Sequence, residues 1–238
     1  MFWISLIFDV SLSARMHQII AIFLFSTILS WADHLILSGG PSLRRWEQYR
    51  TPDEQHDRWW GNFIRGATMR IDEIHRVYGK EKKIIWMVYR PSYESRGRED
   101  GKNYISMIQE QASKRNTMLV WIQSGSELIR SMNGRPAGSI ETFDFFGHSN
   151  KHCFCLDYGS EIMAVSTQWL HENDIGKIRS SVFTKNAYCK SWGCHTGQSM
   201  SHVWKSKLGI ALEGTRGKTD YRALAEGKFP VGHGGWVR

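Results

Sequence analysis

The chain has 238 residues, 41% of them hydrophobic, and a formal net charge of +8. That length buries a real core in one domain or at most two small ones, and no low-complexity tract or Pro-rich linker divides it. The basic residues are interleaved with acids, as in Arg96-Gly97-Arg98-Glu99-Asp100, so the charge reads as a solvated surface, and no nucleic-acid partner is expected.

Ile19 to Trp31 is the one long apolar run. It is shorter than the roughly 20 residues of a membrane-spanning helix and fits the apolar centre of a signal peptide. Ser30-Trp31-Ala32 puts small residues where a signal peptidase reads, which predicts cleavage before Asp33; Arg15-Met16-His17 resembles a basic leader start, with Met16 as an alternative first residue to Met1. The competing reading makes Phe2 to Trp31 one uncleaved anchor. Either way the expectation is an exported chain, periplasmic or secreted, or one held to the membrane by residues 1–32 alone. Asp9 and Arg15 cancel, so the excess charge belongs to the rest of the chain.

Leu35-Ile36-Leu37 before Ser38-Gly39-Gly40-Pro41 reads as a first strand ending in a glycine turn. Thr51-Pro52-Asp53-Glu54 resembles a helix start, and Trp60, Phe63, Ile64, Ala67, Ile71, Ile74 and Val77 recur at helical spacing up to a stop at Gly79. Ile84 to Tyr89, closed by Pro91, predicts a strand buried on both faces. A helix over about 100–115, a strand at Met118–Ile122, a short helix at Ser126–Met132 and a strand at Ile140–Phe146 follow.

Further along, Lys151–Asp157 and Glu161–Val165 read as a hairpin about Tyr158-Gly159-Ser160, and Ser166-Thr167 as the cap of a helix to about Ser180. A fifth strand spans Asn186–Trp192, a helix Thr196–Leu208 and a sixth strand Ile210–Glu213, with 226–238 a loose end. Strand and helix alternate, so the expected fold is α/β, a mostly parallel sheet of about six strands flanked by helices in a three-layer sandwich. The expected division is 1–32 leader or anchor, 33–225 domain, 226–238 tail.

In open α/β sheets ligands lie at the carboxyl ends of the strands. His148 closes the fourth strand in Phe146-Gly147-His148-Ser149, and Cys194 the fifth in Trp192-Gly193-Cys194-His195. Placed before a helix, Cys194 would have its thiolate stabilised by free amides, and His148 would take its proton. Amides around Gly147, His148, Ser149, Gly193 and Cys194 would bind an oxyanion.

Strand-Gly-His followed by strand-Gly-Cys resembles the caspase-like cysteine peptidases, which include caspases, gingipains, separases and CHAT domains. The resemblance spans roughly 35–221 and includes Gly193-Cys194-His195-Thr196-Gly197-Gln198, which with the later Gly209, Gly214, Gly217, Lys218 and Thr219 is similar to the Cys-x-Thr-Gly region of several bacterial members. It implies a peptidase with a caspase-like sandwich, His148 as general base, Cys194 as nucleophile, a peptide or protein substrate and no cofactor. Ser149 stands where those peptidases usually carry Gly. The chain also resembles exported bacterial proteins with Arg-Trp-Trp-Gly-Asn-Phe and Gly-His-Ser-Asn-Lys-His segments.

Other readings of the same residues remain open. Cys194 also reads as a small buried hydrophobe, and His195 and His202 as alternative partners. A disulfide from Cys153 or Cys155 to Cys189 would leave Cys194 free. His148, His152, Cys153, Cys155, Cys194 and His195 offer metal ligands, but at no known spacing, so no metal is expected. Ser38, Gly39 and Gly40, with Trp59 and His195, are candidate cleft residues, Trp59 because one of the Trp59-Trp60 pair must face away from the helix core. The functional expectation is an exported cysteine hydrolase. The alternative is a non-catalytic envelope binding domain on the same fold.

Overall fold

The computed structural model describes residues 33–52, 55, 58–159 and 166–238. The expected leader, its cleavage point and the Glu161–Val165 arm of the hairpin lie outside the described residues. Among the described residues, no helix is long and apolar enough to cross a membrane.

In chain order, β1 (Asp33–Ser38), the short helix α1 (Arg44–Glu47), α2 (Asn62–Tyr78), β2 (Ile84–Tyr89), α3 (Arg90–Asp100), α4 (Tyr104–Lys114), β3 (Met118–Ile122), α5 (Gly125–Asn133) and β4 (Ile140–Phe146) form the first half. Three short strands follow, β5 (His148–Ser149), β6 (Cys153–Cys155) and β7 (Trp169–His171). Then come β8 (Phe183–Ser191), α6 (Ser199–Leu208), β9 (Leu212–Thr215), β10 (Thr219–Asp220), β11 (Val231–Gly232) and β12 (Trp236–Val237).

The central sheet has seven strands in the order β12-β9-β8-β4-β1-β2-β3, all parallel except β12, which runs antiparallel to β9. The molecule is thus α/β, a mostly parallel sheet between two helical layers. β1 and β2 are buried along their whole length because the two-residue period of a strand sends alternate side chains into opposite cores. Leu35, Leu37, Ile85 and Met87 pack with Leu128 and Met132 of α5 and Met200, Trp204 and Leu208 of α6. Ile36, Trp86 and Val88 pack with Ile64, Ala67, Ile71 and Ile74 of α2, Tyr93 of α3 and Ile108 of α4. Full burial of each such aliphatic side chain contributes about 1.5–3 kcal/mol.

Several sequence expectations are corrected. The long helix begins at Asn62 rather than Thr51: Asn62 N–H donates to Trp59 O at 3.2 Å, and the Trp60 ring stacks on Tyr104 at 3.9 Å, which turns the chain just before the helix. Pro91 does not close a strand into a loop but occupies the first turn of α3, where its missing N–H is no loss. The charged run on α3 is not wholly solvated. Arg96 is 1% exposed and donates to Asp100 at 2.7 Å and to Ser42 O at 2.7 Å, while Glu99 accepts from the amides of Arg44 and Arg45.

β6 pairs with β5 and with β7, giving a separate three-stranded antiparallel sheet. Ser166 and Thr167 cap no helix. Their hydroxyls donate to the Asp157 carboxylate, which also takes the Thr167 and Gln168 amides, and the chain passes into β7 and a 3-10 turn at Glu172–Lys177. The C-terminal segment is not a loose end. β11 pairs with β10 and β12 with β9, through a turn in which Gly234 and Gly235 take φ of +78° and +82°.

Candidate functional site

β4 and β8 are adjacent and parallel, with Phe145 opposite Ser191. His148 and Cys194 each stand three residues beyond that pair, so the two motifs leave the sheet side by side at its carboxyl edge. They touch: a Cβ on Gly193 would lie 2.2 Å from Ser149 Oγ and 3.1 Å from Gly147 O, so only glycine permits this approach. Ser149 Oγ donates to Cys194 O at 2.7 Å. Ser149, Gly147 and Gly193 therefore shape the loop. The Gly193 amide meets Ser191 Oγ at 3.3 Å.

The strand order reverses between β1 and β4, the place where open sheets commonly hold ligands. That crevice is filled here. Gly39 N–H donates to Phe146 O at 2.8 Å, Gly40 N–H to Leu156 O at 2.7 Å, and Ser38 Oγ accepts from Trp86 Nε1 at 3.0 Å. Ser38, Gly39 and Gly40 are buried packing residues rather than a cleft wall, which corrects that expectation. The gap carrying both reactive side chains is the next one along, between β4 and β8.

Cys194 does not abut a helix N-terminus as expected. Residues 194–198 form a turn, and α6 starts at Ser199. The turn is pinned to the β9–β10 segment, with His195 N–H donating to Gly217 O and Gly197 N–H to Thr215 O, both at 2.8 Å. The same segment returns an amide to the sulfur, since Thr219 N–H lies 3.2 Å from Cys194 Sγ. An amide aimed at a sulfur favours thiolate over thiol. His195 holds φ at +61°, a strained backbone for a non-glycine residue, and its Nδ1 sits 3.1 Å from Arg216 O.

The His148 ring lies edge-on to Phe63 at 5.0 Å and to Tyr158 at 4.7 Å, and Phe63 meets Tyr221 at 5.2 Å. Arg50 lies over the far ring, 5.7 Å from the Tyr158 centroid. Burial pushes the Tyr158 phenol up, and negative charge on the neighbouring cysteines would push it the same way, against Arg50.

Trp192, next to Gly193, anchors the loop from below. Its amide donates to Phe145 O at 2.8 Å, its indole N–H to Asp144 Oδ1 at 3.0 Å, and its carbonyl accepts from Tyr221 OH at 3.0 Å. It stacks on Phe146 at 5.6 Å and Phe229 at 5.0 Å. Asp144 is wholly buried and also accepts from Arg70 Nε at 2.9 Å; burial pushes its carboxyl up against the pull of that guanidinium. Thr219 stood in the sequence only as part of the resemblance, with no role; Trp192, Tyr158 and Tyr221 were not among the site candidates, because long-range pairing brings them here and only Trp192, one residue before Gly193, had a local signal.

Of the other sequence candidates, Trp59 is 70% exposed ahead of α2, while Trp60 is the partly buried member of the pair, packed against the core. All four cysteines are free thiols, so the disulfide to Cys189 is not made; Cys189 is fully buried on β8, where burial pushes its thiol up. Among the described residues, no group of three or more His, Cys, Asp or Glu side chains is arranged to hold a metal ion. No family model matches the chain, and no curated protein is similar to it in sequence.

Proposed function

We propose that the chain is a cysteine hydrolase of the caspase-like kind, acting on peptide or protein substrates outside the cytoplasm. Cys194 Sγ attacks the acyl carbonyl while His148 accepts the thiol proton and returns it to the leaving amine; water then releases the acyl group with His148 as base. The observation that supports this reading is the shared exit of Gly147-His148 and Gly193-Cys194 from paired strands, with a backbone amide turned onto the sulfur. Ser149 holds the Cys194 carbonyl in place of a glycine at that position, as a positioning residue.

Iodoacetamide alkylation of Cys194, followed by peptide mass mapping across pH, tests the reading. The expected result is fast modification at neutral pH that slows by about 10²-fold in His148→Ala, the lower end of what a positioned base contributes. A Cys194 that alkylates like an ordinary thiol, indifferent to His148, would sink the hydrolase and leave a binding domain on the same fold.

A further inference from the structure

The small sheet carries chemistry that the Cys194 site does not use. Cys153 and Cys155 are two apart on β6, so both leave the face opposite Phe154, which is buried in the core. Across the ladder Cys155 faces His148 and Cys153 faces His171. Directly opposed residues hold their Cβ atoms about 4.5–5.5 Å apart, so each thiol has an imidazole beside it. The two sulfurs differ in access: Cys153 is half-buried, whereas Cys155 is 3% exposed. Cys153 Sγ lies 3.3 Å from Asn150 Oδ1.

We propose that Cys153 and Cys155 form a redox-active dithiol whose oxidant is a low-molecular-weight disulfide of the glutathione class. The Cys153 thiolate attacks one sulfur of the disulfide, forming a mixed disulfide and expelling one thiolate. Cys155 then attacks Cys153 Sγ, closing the Cys153–Cys155 bond and expelling the second thiolate, which takes up the proton that Cys155 gives up. Two protein thiols are oxidised and one small disulfide is reduced to two thiols, so atoms and electrons balance.

The environment divides the roles in that order. A hydrogen bond from Cys155 foremost draws the Cys153 thiol down, burial opposes it, and the surroundings of Asn150, His171 and His152 add to the lowering. The same bond, with burial, pushes Cys155 up, so Cys153 ionises first and Cys155 waits as a thiol. His152 Nδ1 is paired with Glu172 at 2.9 Å and His171 Nδ1 accepts from Asn173 N–H at 3.1 Å, which fixes both rings beside the pair.

Strand geometry makes the bond labile. Residues two apart on a strand are separated by roughly 6.4–6.8 Å, at the upper limit for a disulfide, so closure pinches β6 and the product is easily reduced. Because Cys155 faces His148, the pinch is felt at His148. That consequence rests on the hydrolase reading; the thiol chemistry does not.

The test incubates the whole chain with oxidised glutathione, quenches with acid, alkylates and maps peptides by mass. The expected course is glutathione on Cys153 first, then a peptide with Cys153 and Cys155 linked, reverting under reduced glutathione. Cys155→Ser is expected to stop at glutathionylated Cys153, and Cys153→Ser to leave Cys155 unmodified. The proposal is overturned if the wild-type 153–155 peptide stays reduced, or if glutathione reaches Cys155 first. The wild-type time course decides even where a variant fails to fold. Loss of Cys194 alkylation in His148→Ala is read separately, so either idea can fail without the other.

Discussion

Acid should weaken this fold through one histidine well away from the reactive loop. His34 lies on β1 with no exposed surface, its Nδ1 2.8 Å from Thr142 Oγ1 and its ring 4.9 Å from that of Tyr78. Burial foremost, then the charges of Lys82, Arg70 and His75, hold its pKa down from 6.5 to about 4. The folded chain therefore binds this proton more weakly than the unfolded chain. Its share of stability is complete above pH 6.5 and is lost as pH falls toward 4. At about 1.4 kcal/mol per pH unit, the loss reaches about 2.5 kcal/mol by roughly pH 4.5 and about 3 kcal/mol below pH 4. His34→Asn keeps a group able to reach Thr142 but cannot titrate. Urea unfolding midpoints from neutral pH to about pH 4.5 should fall more steeply for wild type than for this variant, by about 2.5 kcal/mol over the range. Parallel curves for the two proteins would refute the reasoning.

Gly193→Ala should cost about 1–3 kcal/mol by forcing a methyl onto Ser149 Oγ, and adding Ser149→Gly should recover much of that loss, read as thermal midpoints. Gly232→Val should disturb β11 and with it Thr219, whose partner in the ladder is Gly232; the pH midpoint of Cys194 alkylation should then move upward while far-UV circular dichroism is retained. Asp157→Ala should strand the Thr167 and Gln168 amides, cost about 2–3 kcal/mol and open the backbone at Ser166–Gln168 to limited proteolysis; an unchanged digestion pattern would count against that role. Arg70→Met should cost about 3–5 kcal/mol by leaving Asp144 without its guanidinium, and Arg70→Met with Asp144→Leu should cost less than the single change in chemical denaturation.

The strands were legible wherever the chain is apolar on both faces. Ile84–Tyr89 announces a buried strand without any partner being known, and so does Leu35–Leu37. His148 and Cys194 were legible as a pair because each follows glycine at a strand end. Their adjacency follows from the pairing of Phe145 with Ser191, which no local pattern encodes. What sequence missed is long-range. Thr219 reaches the sulfur only because β10 is laid beside it by β11, and the glycine-rich end that makes β11 and β12 reads by composition as slack chain. α3 was hidden by its charge, since a buried arginine such as Arg96 is recognised only once Asp100 and Ser42 are seen against it.

The register between β4 and β8 also works as a counting device. Both reactive residues stand three steps past the same rung, so losing or gaining one residue in either strand turns its exit to the opposite face and parts the two side chains. Length variation should therefore be lethal between Thr142 and Ser149 and between Tyr188 and Cys194, beyond the irregular start of the ladder. It should be harmless between Gly159 and Ser166, because Asp157 takes the Ser166 and Thr167 hydroxyls and the Thr167 and Gln168 amides however many residues separate them. A library of single-codon deletions scored for soluble yield would trace that boundary residue by residue.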